Sequence, residues 1–376
     1  MMRRFGFRFG LFMLPFAAAF TLLTAFLLYT GESLPLPLVV RAQMGETPTL
    51  YRPRFGNRDL QFKLLATELR RPEIIALGSS HVLQIRSNFF DRNPQAFYNA
   101  GAPAWQLEHL AAFLDRLHHT PDLIILGIDH PWFNDTYEGD ASAPSLEPTS
   151  DFETIFAVNR TFMQMLFSGE SIDAASMLAR RDPGDGHDAL GLRAIRDGHG
   201  FRNDGSEQYG DFLVARHLYP ENERARHFSL MQNGEQMYAR GAVVSETALA
   251  AYADLLDAAQ ARGIEVIGFL SPFAPTLYEA MLAGGQHTYL FELPRRLAAL
   301  HAERGFAFFD FTDPSSLHAT DGDFFDGWHA SERIFLRLYL HMLETHPDLL
   351  ARYSNIEALQ AVEANAVDTF RVFEAN

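Results

Sequence analysis

The chain has 376 residues, 47% of them hydrophobic and 21% charged, with a formal net charge of -16. These are globular values, so general disorder and collagen-like order are excluded, and the excess of acid argues against a nucleic-acid partner because it offers no attraction to a phosphate backbone. Cysteine is absent and Lys63 is the only lysine, which removes disulfides, thiolate metal sites and cysteine nucleophiles and effectively excludes lysine Schiff-base chemistry.

Residues Leu11 to Thr30 carry no charge. As a helix they would be about 30 Å long, the thickness of a hydrocarbon core. Arg3, Arg4 and Arg8 precede them, so the positive-inside rule predicts a cytoplasmic N-terminus and an exported remainder. An uncleaved anchor is the first reading. The alternatives are a cleaved signal peptide, with Val40-Arg41-Ala42 as a distant cleavage-like site, and a buried helix of a soluble protein. Residues 1–30 are thus read as a cytoplasmic tip and transmembrane anchor, and residues 31–70, rich in proline and arginine, as a spacer.

An alternation of strands and helices follows. Glu73 to Leu77 is a short apolar run ending at Gly78, which predicts a buried strand, and Phe97 to Asn99 predicts a shorter one. Gln106 to His119 carries Leu107, Leu110, Leu114 and Leu117 at helical spacing. Leu123 to Gly127 reads as another buried strand. Ser245 is placed to cap a helix that ends at Gly263. Glu265 to Leu270 and Ala307 to Phe311 supply two further strands. This pattern predicts an α/β fold with a parallel five-stranded sheet over residues 71–345. Residues 136–244 read as a large insertion, part helix and part loop, and residues 346–376 as an acidic helical tail.

Two features carry chemistry. Ser80 stands after the first strand in Gly78-Ser79-Ser80-His81, at the carboxyl edge where open α/β sheets hold ligands. There its backbone N–H would open the next helix and face a developing oxyanion. Val82 excludes the second glycine of a G-x-S-x-G elbow. Beyond the last strand stands Asp326-Gly327-Trp328-His329. A carboxylate three residues before a histidine can hold its Nδ1 and leave Nε2 to take a serine proton. Serine after the first strand and Asp-x-x-His after the last bring all three residues to one sheet edge.

With these blocks the sequence resembles the SGNH (GDSL-type) hydrolase superfamily. Gly78-Ser79-Ser80 matches the family's serine block, Asn99-Ala100-Gly101 its second block, and Asp326 with His329 its C-terminal pair. The resemblance implies a three-layer flavodoxin-like domain, a Ser80–His329–Asp326 triad, and an oxyanion hole that includes the N–H groups of Ser80 and Gly101. The third block, usually Gly-x-Asn, is here Gly127-Ile128-Asp129. An ionised aspartate cannot donate to an oxyanion. Either Asp129 is protonated, or His130 or Asn134 serves, or this block has another job.

The anchored branch of the family includes the alginate and cellulose O-acetylation proteins and those of teichoic-acid D-alanylation. It implies an O-acyltransferase in a bacterial inner membrane, with its main domain periplasmic or extracellular. Its partners would be a multi-pass membrane-bound O-acyltransferase (MBOAT), an extracellular polysaccharide and the lipid bilayer. A carbohydrate esterase using the same triad, and a non-catalytic assembly subunit, are the alternatives. Candidate substrate contacts are His81, Trp105, His130, Trp328 and Arg202. No cofactor and no metal ligand is assigned. The Asp182, Asp185, His187 and Asp188 group lacks EF-hand spacing, and Asp321-Gly322-Asp323 reads as a turn.

Overall fold

The computed structural model describes residues 2–56, 58–103, 106–139, 149–170, 172–181, 187–211, 213 and 220–373. Trp105, Asp182 and Asp185 lie outside them. The chain forms two compact units. One comprises residues 1–58, 147–203 and 208–212, and the other residues 59–146, 204–207 and 213–376.

The larger unit is α/β. Its sheet contains β1 (Ile74–Leu77), β2 (Phe97–Asn99), β3 (Leu123–Ile128), β4 (Glu265–Leu270) and β5 (Ala307–Asp310), in the order β2-β1-β3-β4-β5. All pairings are parallel, with Ile74 opposite both Phe97 and Leu123, Leu123 opposite Glu265, and Ile267 opposite Ala307. Every residue of β1 and β3 is buried. Covered on both faces, such strands need continuous apolar runs, which is why IIAL and LIILGI do not alternate. Helices Asp59–Arg70, Leu107–Arg116, Glu246–Ala261 and Tyr289–Ala302 pack in succession. The Ser245 hydroxyl caps the third of them, accepting from the Ala248 N–H.

The expected C-terminal helical segment packs on the larger unit's last long helix. Helix Ile356–Asn365 packs on helix Glu332–Thr345, and Glu363 accepts from both Arg333 and Arg337. Buried Glu332 takes the Val372 N–H and pairs with Arg86.

The smaller unit takes in much of the expected spacer and part of the expected insertion. Residues 31–58 contain a helix (Leu36–Gln43) and a strand (Thr49–Tyr51). That strand pairs in parallel with Asp188–Leu190, and its Tyr51 pairs antiparallel with Phe201. The N-terminal helix, Met2–Tyr29, is apolar over Phe7–Tyr29, with mean hydropathy 2.2, and is long enough to span a membrane. Most of it is exposed, but Leu27 enters a core with Val158, Phe162, Met165, Met177, Leu192 and Ile195.

Glu32, fully buried just after that helix, fastens the unit. Its carboxylate accepts backbone N–H bonds from Arg54, Phe55 and Leu192 at 2.6–3.0 Å. Burial pushes its pKa up against the pull of those bonds. Glu32→Ala strands several buried donors, at a cost of about 1–3 kcal/mol for each one left unpaired. We expect the smaller unit to melt earlier in hydrogen exchange while the larger one keeps its protection. Unchanged exchange at Phe55 and Leu192 would count against this account.

Candidate active site

The site lies at the carboxyl edge of the sheet. Glycines in or just past β1, β2 and β3 allow the strand ends to close on one side chain, Val82. A Cβ on Gly101 would overlap Val82 Cγ2, one on Gly127 would overlap Val82 Cγ1, and one on Gly78 would stand 2.8 Å from Cγ1. The same valine that excludes a nucleophile elbow thus fills the space the three glycines leave. No helix follows Ser80. It opens a single 3-10 turn, Ser80–Val82, so the expected helix N-terminus is missing. Ser79 caps that turn by accepting from the His81 N–H.

Ser80, His329 and Asp326 come together as expected. Ser80 Oγ is 2.8 Å from His329 Nε2, and His329 Nδ1 is 2.8 Å from Asp326 Oδ2. With Nδ1–H donated to the carboxylate, Nε2 is left to accept the serine proton. The loop geometry follows from its sequence. Gly327 has φ +102, a conformation open to glycine. The turn it makes directs the N–H groups of Trp328 and His329 onto Asp326 Oδ1, both at 2.9 Å. A bridge between Phe324 and Ala330 closes the loop, and Ser331 then caps helix Glu332–Thr345.

Electrostatics prepare the pair. Burial works against charge on His329, but Asp326, with smaller contributions from Glu207 and Asp129, outweighs it and raises the pKa above its ordinary 6.5. Burial likewise opposes the Asp326 charge. His329, His227 and the backbone donors overcome it and hold the carboxyl well below the usual range. The His329 side chain remains 24% exposed, so a reactant can reach it.

Sequence reasoning missed His227 and Tyr238. His227, on helix Pro220–Asn233, sets Nε2 3.5 Å from Asp326 Oδ2 and bonds through Nδ1 to the Tyr238 hydroxyl at 2.8 Å. Burial lowers its pKa against the opposing pull of Asp326. No motif marks it, because the contact spans about a hundred residues. A cleft of about 290 Å³, bounded by Arg224, His227, Phe228, Leu277 and Gly327, reaches Asp326 but is not lined by Ser80.

Asp129, expected in the third block, is engaged by its neighbours in the fold. Asp129 Oδ1 accepts from Ser79 Oγ and from His81 Nδ1, both at 2.8 Å. One carboxylate therefore grips both neighbours of Ser80. The Gly101 N–H is also engaged, donating to Asn99 Oδ1 at 3.1 Å. Of the two backbone donors the resemblance implies, only the Ser80 N–H has no acceptor among the described residues. Asn99 Nδ2 bonds the carbonyls of Val82 and Ile85, and Lys63 Nζ bonds those of Asn99 and Gly205. The sole lysine is thus a buried strut under the second block.

Most expected substrate contacts are packed inward. His81 is buried, with Nε2 3.1 Å from the Trp328 carbonyl. Trp328 is buried among His81, Tyr238 and Phe273. His130 bonds Thr312, and burial lowers its pKa to about 3, so it stays neutral. Arg202 belongs to the smaller unit. Asn134 Nδ2 donates to the Ala239 carbonyl at 2.7 Å.

Asp129→Ala should leave the Ser79 hydroxyl and His81 ring without their acceptor. We expect a loss of about 2 kcal/mol in stability and roughly a 100-fold slower reaction at Ser80, as the nucleophile loses its fixed position. Labelling kinetics and thermal melts check both. Undiminished labelling would remove Asp129 from the positioning of Ser80.

No protein-family model matches this chain, and no curated protein matches it.

Proposed function

We propose that the protein is an exported, membrane-anchored serine acyltransferase. It moves an acyl group, acetyl in the first instance, to or from an extracellular polysaccharide through an acyl-Ser80 intermediate. The observation that carries this reading is the unbroken Ser80–His329–Asp326 chain, with both links at 2.8 Å, at one edge of a parallel sheet. The strand order supports the SGNH resemblance, because β2-β1-β3-β4-β5 is the order of flavodoxin-type doubly wound sheets. Ser80 follows β1, next to the point between β1 and β3 where that order reverses, and ligands of such sheets bind there.

The chemistry runs in two halves. Ser80 Oγ bonds to the acyl carbon while its proton passes to His329 Nε2, and Asp326 stabilises the imidazolium. The Ser80 N–H is one donor to the tetrahedral oxyanion. Collapse breaks the bond to the leaving group, which takes the proton from His329, and acyl-Ser80 remains. In the second half His329 removes a proton from an acceptor hydroxyl, whose oxygen attacks the acyl-serine; collapse breaks the bond from the acyl carbon to Ser80 Oγ, which takes the proton back from His329. A sugar hydroxyl gives transfer and water gives hydrolysis, with the same residues in both. The donor is expected to be supplied through a multi-pass MBOAT partner, as in the systems the sequence resembles.

Intact-mass spectrometry of the protein after exposure to an activated acetyl ester tests this. We expect a single acetyl adduct on the peptide containing Ser80, cleared faster when a hydroxyl-rich oligosaccharide is added. Clearance that ignores the oligosaccharide would favour the esterase. No adduct on folded protein would sink both enzyme readings.

A further inference from the structure

Helix Asp151–Phe167 leaves a broad apolar face uncovered. Phe152, Phe156, Met163, Leu166 and Phe167 are all exposed, Phe167 to 83%. On a helical projection at 3.6 residues per turn they fall within an arc of about 100°. Exposed Glu153, Arg160 and Gln164 occupy the next arc. On the other side Val158, Phe162 and Met165 are buried in the core of the smaller unit. An exposed apolar stripe of this size marks an interaction surface.

The N-terminal helix decides what covers it. Asn159 points into the same arc yet is buried, because it accepts a hydrogen bond from Thr24 Oγ1 at 3.1 Å. Phe162 meets Phe26 edge-on at 6.2 Å. The N-terminal helix therefore covers the middle of the face, at Asn159. The exposed residues flank this point on both sides. The contact is shallow. Leu23, Phe26 and Leu27 pack in this core, and from Leu23 to the end of the apolar span at Tyr29 the helix rises only about 9 Å. Arg181 stacks over the Tyr29 ring at 4.9 Å and donates to its carbonyl at 2.7 Å. A tyrosine and an arginine together at the end of an apolar span are what a headgroup level selects.

We propose that helix Asp151–Phe167 lies in the plane of the membrane interface beside the anchor. Its five exposed apolar side chains enter the boundary between headgroups and acyl chains, and Glu153, Arg160 and Gln164 stay in water. An interfacial helix buries its apolar face about 5–10 Å deep, which matches the depth of the contact. The proposal rests on the N-terminal helix spanning the bilayer and is independent of the chemistry at Ser80. A lipid surface accounts for side chains on both sides of the contact at one depth.

The absence of native cysteine makes a clean test available. Single variants Phe156→Cys, Phe167→Cys, Glu153→Cys and Leu14→Cys of the full chain are labelled with nitrobenzoxadiazole. They are then reconstituted into phosphatidylcholine–phosphatidylglycerol vesicles. Spin-labelled lipids carry the quencher either near the headgroup or at the bilayer centre. We expect probes at 156 and 167 to shift to the blue and lose most emission to the shallow quencher. The probe at 14 should respond to the deep quencher, and the probe at 153 should emit as in water. Water-like emission at 156 and 167 with a quenched probe at 14 would overturn the interfacial helix and leave the anchor standing. Blue-shifted probes that lipid cannot quench would mean that protein covers the face, which also overturns it. An unquenched probe at 14 would remove the anchor itself, and the proposal with it.

Discussion

Ser80→Ala is expected to give a folded protein that forms no adduct with a fluorophosphonate. Its turnover of an activated ester should fall about 10⁶-fold, toward the level left by binding and backbone donors alone. The cost to folding should be small. Ser80 is half-buried, and its one hydrogen-bonded side-chain partner among the described residues is His329, so the loss is about 1 kcal/mol or less. His329→Ala should reduce turnover nearly as far. The double variant should be no worse than either single one, because residues acting as one unit are not additive. Independent, additive losses would mean that the 2.8 Å contact between them does not operate in turnover.

Asp326→Asn should have the next largest effect and a distinctive pH signature. In the proposed mechanism the base is neutral His329, so labelling of Ser80 is expected to climb as pH rises through the histidine's pKa. That pKa is raised, chiefly by Asp326 working against burial, so the ascending limb in the unaltered protein should lie above the ordinary 6.5. An asparagine in the same place removes the opposing charge. The limb should move to lower pH while the plateau falls by about 10⁴, as the ring loses the partner that fixes its tautomer. A fall in plateau with an unmoved limb would falsify the assignment of the limb to His329.

The same pair links stability to pH. His329 has its pKa raised on folding, so its contribution is complete below the unfolded value and fades as pH rises through the folded one. Asp326 has its pKa lowered, so its contribution is present above the usual 3.8 and is lost as pH falls below that. Both describe one attraction, which is fullest between those limits. The Asp326→Asn variant should show a flatter profile of melting temperature over that window.

Local signals were enough where an interaction is local or an element is long. Apolar runs gave β1, β3 and β4, because a strand covered on both faces has no other composition open to it. The three-residue spacing of Asp326 and His329 placed a carboxylate against Nδ1 because one turn of chain suffices to close that contact. The uncharged N-terminal run marked a helix long enough to cross a membrane for the same reason. Short elements left no comparable trace. A helix of eight residues and strands of two or three, as in residues 36–51 and 188–201, are too short for periodicity to register over a window of roughly 11 or more residues.

By itself, then, the sequence determined the α/β alternation, the order of the chemical blocks and the apolar first helix, since each depends on neighbours within a turn or a strand. The tertiary structure alone decided that Asp129 holds Ser79 and His81, that His227 and Tyr238 stand behind Asp326, and that Trp328 and His130 face inward. It also decided that residues 1–58 and 147–203 fold as one unit. These pairings join side chains tens to hundreds of residues apart. Which partner a buried polar group finds depends on how the strand ends and loops close around it, and that closure leaves no pattern in the chain.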